Sequence, residues 1–407
     1  MPALPVALLA ATLLVAPPAA ATPAPTPTPP PPLPAATSTV GGARLAGTTT
    51  VTDLPAGIPA PTGPGGSAWL VADLDSGAVL AGHGAHAPLA PASTLKILTA
   101  LALVPRLNPK AVYVARYADV AIDGTKVGLV PGSRYTVDDL VHGLLMSSGN
   151  DCASALANLV GGPATAVTLM SRTARELGAA DTVVRNTSGL DAPGQVSSAY
   201  DLALFARAAL ADPNLERVMT TVLYNFPAKG TTFDRKRPRF QIQTHNKLLR
   251  NYPGTTGVKN GYTVLARGSF VGSAARGTRR YVATLLRVDG NTWHATRALL
   301  DWAFRYGTAA HTVGTLDAPP VDPPLDPQLD GATPQPTASG NGSAGGVVSG
   351  LSGDAARLAG SKDRLAVPSL PLPVTVAVLT GGLLLVAAMG GVAVRRGGRR
   401  PRARRVR

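Results

Sequence analysis

Three short clusters in this sequence carry side chains that could act together on an acyl group. Ser93 and Lys96 stand three positions apart in PASTLKILTA, Ser148 and Asn150 share MSSGNDCA, and Lys259, Asn260 and Gly261 share GVKNGYT. On a helix, positions i and i+3 lie on one face, so Lys96 can reach the Ser93 hydroxyl. A lysine that is partly desolvated or beside another cation loses proton affinity and can serve as a base near neutral pH, and Lys259 would be that cation. A serine at a helix start also has free backbone N–H groups beside it, which suit a developing oxyanion. Asn150 offers a donor and an acceptor for a peptide amide, and Ser148 a hydroxyl able to relay a proton to a leaving amine. Each cluster alone has a plainer reading. Ser93 could be a helix cap ahead of a surface lysine, Ser-Gly-Asn a cap before DCASALANLV, and Lys259 a solvated lysine on an edge strand. Lysine is scarce, with eight in the chain, and two of the eight fall in these clusters.

Other chemistries lack coherent parts. The chain has no GxSxG, no HExxH, no Cys/His metal spacing and no Gly-rich phosphate loop after a strand. Its six histidines do not cluster, and Cys152 stands alone, so it makes no internal disulfide and reads as a small buried hydrophobe. The expectation is a serine enzyme with no metal and no cofactor.

The elements that must position these residues lie between about residues 65 and 307. SAWLVADL reads as a strand, DSG as a turn and Ala78-Val79-Leu80 as the start of a return strand. A helix is expected from Ser93 to about Val104, ahead of Pro105. Thr136 should cap a second helix, VDDLVHGLLM, with Asp138 and Asp139 in its first turn. Further helices are expected over residues 151–160, 164–177 and 199–210. Strands follow at 267–274 and 280–288, with Lys259 just before them, and a closing helix spans 292–306. Strands, then helices, then strands and a helix predict an α+β fold: an antiparallel sheet built from both ends of the domain and flanked by helices.

The three clusters and their surroundings resemble the serine-type D-alanyl-D-alanine carboxypeptidases, the low-molecular-weight penicillin-binding proteins. That family's motifs are Ser-x-x-Lys, Ser-x-Asn and Lys-Thr-Gly. The similarity extends to VPGSRYTVDDLVHGLLMSSGNDCASALA, to RNTSGLDAPGQVSSAYDLALFARAAL and to TGVKNGYT with the two strands and closing helix after it. The resemblance implies the β-lactamase/DD-peptidase (transpeptidase-like) fold. It implies Ser93 as nucleophile, Lys96 as its base, and Ser148 and Asn150 as proton-transfer and amide-binding groups. It places Lys259, Asn260, Gly261 and Tyr262 in substrate binding, with the N–H groups of Ser93 and Tyr262 forming an oxyanion hole. The implied partners are peptidoglycan stem peptides and, as covalent inhibitors, β-lactam antibiotics. Asn260 departs from the family's Thr, whose hydroxyl helps hold the substrate's terminal carboxylate. No separate β-rich domain is expected after the catalytic one. The alternatives are a β-lactamase-like hydrolase or a non-catalytic penicillin-binding wall protein. Class A β-lactamases need a deacylating glutamate, and the only glutamates, Glu176 and Glu216, sit in no ExxxN loop.

The ends read as targeting segments. LPVALLAATLLV followed by Ala19, Ala20 and Ala21 fits an export signal over residues 1–21, although no basic residue precedes the apolar run. Residues 22–64 read as a Pro-rich spacer and 308–373 as a disordered linker. Residues 374–394 carry no charge and as a helix would rise ~31 Å, enough for a bilayer. The tail 395–407 holds eight arginines and no acid, and contributes about half of the formal net charge of +15. A basic run directly after an apolar span points to membrane topology, with the tail cytoplasmic and the body outside, and not to nucleic acid.

Overall fold

One antiparallel sheet gathers strands from both ends of the chain. The computed structural model describes residues 31–36, 38–233 and 236–317. The first strands are β1 (Thr50–Thr52), β2 (Ala68–Asp73) and β3 (Ala78–His83). A 3-10 turn, Ala92–Leu95, leads into helix α1 (Lys96–Leu103). The ribbon of β4 (Val112–Val114) and β5 (Arg134–Thr136) encloses the short α2 (Tyr117–Val120). Helices α3 (Val137–Met146), α4 (Asn150–Leu159), α5 (Pro163–Glu176), α6 (Ala199–Ala211) and α7 (Pro213–Met219) follow. A hairpin of β6 (Leu223–Pro227) and β7 (Arg239–Gln243) and the short α8 (Leu248–Asn251) come next. Then β8 (Thr255–Thr263), β9 (Arg267–Arg276) and β10 (Arg279–Val288) return to the sheet, α9 (Thr292–Tyr306) covers it, and β11 (Gly314–Thr315) pairs with β3. The sheet order is β1-β3-β2-β10-β9-β8.

Two apolar clusters lie on the two faces of this sheet. One joins Leu70, Val271, Val282 and Leu286 to the helices α1 and α3–α7, and the other packs Val71, Phe270 and Leu285 against Leu299, Leu300 and Phe304 of α9. Period-2 alternation in β2, β9 and β10 supplies both faces, which is why the central residues of these strands are buried on either side. The Thr136 cap is present as a reciprocal box: Asp139 N donates to Thr136 Oγ1 at 3.0 Å and Thr136 N donates to Asp139 Oδ2 at 2.9 Å. Ser198 caps α6 in the same sense, accepting from Asp201 N at 3.0 Å.

Four expectations need correction. The helix expected from Ser93 begins at Lys96, because Ser93 lies in the 3-10 turn and makes no capping bond. Lys259 lies within a strand, β8, and not before one. Residues 40–64 are not a spacer, since Leu45 is buried and β1 pairs with β3, Thr50 opposite His83. The domain continues past residue 307 through β11, with Val313 and Leu316 buried. The expected signal, the apolar span 374–394 and the tail lie outside the described residues, as do residues 318–373 of the expected linker. Among the described residues no single helix is long and apolar enough to cross a membrane.

Candidate active site

Ser93 is presented by backbone packed between two glycines. Ala92 has φ 50, in the left-handed region. A Cβ on Gly261 would stand 2.7 Å from Ser93 N, and one on Gly189 would collide with the Ala92 carbonyl. The turn is pinned from β9, where Ser269 Oγ donates to Pro91 O at 2.8 Å, and from within, where Thr94 Oγ1 donates to the same carbonyl at 2.5 Å. Local propensity favours a helix capped by Ser93, but this clamp holds the residue in a tighter turn.

Lys96 is fully buried at the start of α1. Its Nζ lies 3.1 Å from Ser93 Oγ, 2.7 Å from Asn150 Oδ1 and 2.5 Å from the Ser188 carbonyl oxygen, each within hydrogen-bond reach. Burial first, and the neighbouring Lys259 ammonium second, hold its pKa well below the usual lysine value, with Cys152 and Asp151 opposing. Lys259 is also fully buried, and burial lowers it to about 7. Its Nζ donates to the Asn260 carbonyl at 2.7 Å. The clustered motifs thus bring two lysines of reduced basicity into one dry site.

Asn150 is oriented from both ends of its amide: Nδ2 donates to Asp123 O at 2.7 Å while Oδ1 faces Lys96. Asp151 beside it accepts from Val127 N, Gly128 N, Leu129 N and Cys152 N between 2.8 and 3.0 Å, which fixes the loop that carries Asp123. Ser148 is buried with φ 61, and its hydroxyl makes no hydrogen bond among the described residues. The cap of α4 falls on Gly149 without a side-chain bond, so the plain capping reading of Ser-Gly-Asn does not hold. Cys152 is buried and its thiol is pushed up by burial and Asp151, consistent with a packing residue.

The register of β8 on β9 sorts the third cluster. Gly261 stands opposite Ser269 on the Ser93 side, and Lys259 stands opposite Val271 on the same side. Asn260 stands opposite Phe270 and so points to the other face. There it lines a cavity of about 410 Å³ with His245, Lys247, Phe270 and Trp293. Tyr262 borders this cavity and is 68% exposed.

Reading the sequence by motif missed Ser188, Gly189, Asp123 and Asp151. The first two belong to RNTSGLD, where Asn186 Oδ1 accepts from Ser188 N and Gly189 N at 3.1 and 2.8 Å and folds a tight turn. The Asn-x-Ser-Gly run carried that turn signal. Asp123 acts through its carbonyl, which no residue type announces. Among the described residues no cluster of His, Cys, Asp and Glu could hold a metal.

The family profile described as D-alanyl-D-alanine carboxypeptidase matches residues 60–290. The D-alanyl-D-alanine carboxypeptidase DacB2 of Mycobacterium tuberculosis is 41% identical over 270 residues, 64% of this chain and 90% of that protein. DacC of Escherichia coli is 32% identical over 253 residues, 59% of this chain and 61% of that protein. A crystal structure of a D-alanyl-D-alanine carboxypeptidase from Mycobacterium tuberculosis superposes with TM-score 0.61 at 38% identity, over 65% of this chain and all of that one. Penicillin-binding protein 6B of Escherichia coli superposes with TM-score 0.55 at 29% identity, over 63% of this chain and 82% of that one. With a family profile matched over more than half of the chain and these relatives beside it, the chain belongs to the serine-type D-alanyl-D-alanine carboxypeptidases.

Proposed function

We propose that the chain removes the terminal D-alanine from peptidoglycan stem peptides through an acyl-enzyme on Ser93. Ser93 Oγ attacks the carbonyl between the two D-alanines as its proton passes to Lys96 Nζ. The backbone N–H groups of Ser93 and Tyr262 take the oxyanion, and Ser148 relays a proton to the leaving amine. D-Alanine departs, and water attacks the Ser93 ester to restore the hydroxyl. Asn150 holds the acyl side's amide. At the open edge of β8, Gly261 lies beside Ser93 N and, with Tyr262, also borders the cavity lined by Asn260 and Lys247, so the terminal carboxylate reaches over that edge into the cavity, where Asn260 donates through its amide. The single observation that carries this reading is the contact set of Lys96. A neutral amine keeps both hydrogens on Asn150 Oδ1 and Ser188 O, which leaves its lone pair toward the Ser93 hydroxyl at 3.1 Å.

β-Lactams present a strained amide to the same nucleophile and should acylate it. Incubation with a labelled penicillin, followed by mass mapping, should place the label on Ser93. Ser93→Ala should abolish both labelling and release of D-alanine while the variant stays folded. Undiminished labelling of that variant would remove Ser93 from the mechanism.

The apolar run at residues 374–394, with eight arginines after it, supports a further proposal: the protein is a single-pass membrane protein with its catalytic domain outside. Protease added to intact protoplasts should release the domain and spare the tail. A digested tail with a protected domain would invert this topology.

A further inference from the structure

Among the described residues, one face beside the active site carries basic side chains that form no ion pair. The β4–β5 register sets Val112 opposite Thr136 and Val114 opposite Arg134, with Tyr113 and Tyr135 turned inward and buried. Val114 is 48% exposed, and Tyr117 at the start of α2 is 77% exposed. Lys110 and Arg116 flank β4 and are both exposed. The β6–β7 connection lies against the same ribbon: Arg134 N donates to Gly230 O at 3.0 Å, and Arg237 Nη1 donates to Arg134 O at 2.6 Å. That connection adds exposed Lys229 and Phe233. Lys126, exposed on the loop whose Asp123 carbonyl holds Asn150, carries the basic face to the rim of the site.

Among the described residues, none of Lys110, Arg116, Lys126, Arg134 and Lys229 forms an ion pair. Elsewhere Arg44, Arg207, Arg217, Arg276 and Arg280 each have a carboxylate within 3.6 Å. Among the described residues, the two acids packed nearest the ribbon are already engaged. Asp119 is buried on Tyr113, Ser154 and Asn158, and Asp138 is taken by Arg217. Asp123, on the loop that carries Lys126, is exposed.

We propose that this face docks on an anionic lipid surface, with the active-site rim held beside the headgroups. A soluble polyanion would satisfy the cations but leave Val114 and Tyr117 in water. A bilayer interface takes both kinds of group, because apolar side chains enter the headgroup boundary while lysine and arginine heads stay among the anions. Each basic residue near such a surface is worth roughly fivefold in affinity at moderate ionic strength.

The test uses the full chain reconstituted in vesicles. Cys152 is the one cysteine and is buried, so Val114→Cys supplies a single reactive site for an environment-sensitive fluorophore. The probe should shift to the blue in vesicles of phosphatidylcholine with phosphatidylglycerol, remain unshifted in phosphatidylcholine alone, and return in high salt. Added K110E, R116E and R134E together should weaken the docked state by about a hundredfold. Release of D-alanine from a soluble peptide should stay at the parent rate, which shows that the variant is folded. An unshifted probe in anionic vesicles would overturn the proposal, as would an equal shift in neutral ones. A blue shift in neutral vesicles on adding polyphosphate would assign the face to a soluble polyanion and overturn the lipid assignment.

Discussion

A neutral lysine has two hydrogens and one lone pair, and the surroundings of Lys96 offer two fixed acceptors and one hydroxyl. The same burial that makes the lysines useful makes them destabilising near neutral pH. Lys259 falls from 10.5 to about 7 on folding. Below pH ~7 both states hold its proton. Between ~7 and ~10.5 only the unfolded chain does, so stability rises with pH across that window, by up to about 1.4 kcal/mol per pH unit for this group. Lys96 is displaced in the same direction and adds to the slope. The phenols of Tyr200, Tyr224 and Tyr252 are raised by burial, so above pH ~10 the folded state holds more protons and stability falls again. Denaturant midpoints measured between pH ~7.5 and ~9.5 should therefore climb in the parent, and climb less steeply in Lys259→Met. Equal slopes would mean that Lys259 keeps its proton in the folded state. The motifs predict the reduced basicity of Lys96 beside a second cation, but not the burial of Lys259, because a lysine in a strand looks like a solvated edge residue.

At the scale of elements, the sequence was legible wherever local chemistry and tertiary packing agree. The Thr136–Asp139 box, the Ser198 cap and the apolar periods of α3, α6 and α9 mark helices that form within a residue or two of expectation. The start of α1 was misread because two distant glycines override the capping preference of Ser93. The Asn-x-Ser-Gly run signals the Ser188–Gly189 turn but not its role, which is to offer one carbonyl and one gap. Gly189 tests this directly. It has φ 80, and an added Cβ would strike the Ala92 carbonyl, so Gly189→Ala combines backbone strain with a collision. The expected cost is about 2–4 kcal/mol in stability. The penicillin acylation rate of the folded fraction should fall at least tenfold, because the carbonyl next to Ser93 must move. Gly65→Ala, where nothing lies within 4 Å, should leave both unchanged. A normal acylation rate in Gly189→Ala would show that the clamp is not what positions Ser93.

At the scale of the molecule, the sheet separates the ends of the described chain from the candidate site. Ser93 and the site lie against β8 at one edge, whereas both ends of the described chain meet around β1 and β3 at the other. Thr315 N donates to Gly41 O at 2.8 Å, and Tyr200 Oη donates to Thr315 O at 2.7 Å. The N-terminal segment looked like a spacer because its Pro, Gly and Thr residues carry no local pattern. Its structure comes from partners far along the chain. Val40 O faces Nε2 of the buried His86 at 3.0 Å, and Pro59 O accepts from Trp302 Nε1 at 2.8 Å. A chain trimmed to begin at residue 66 loses the burial of Leu45, worth ~1.5–3 kcal/mol. It also leaves two buried donors unpaired, at about 1–3 kcal/mol each. The sum, on the order of 5 kcal/mol, is comparable with the whole stability of an ordinary domain. Relative to a chain beginning at residue 38, the trimmed chain should melt roughly 10–20 °C lower. The fraction that stays folded should still react with penicillin at the parent rate, since the far edge of the sheet is untouched. Equal melting temperatures would return residues 40–64 to the role of a spacer, and a lost acylation rate in the folded fraction would show that the two edges are coupled through the sheet.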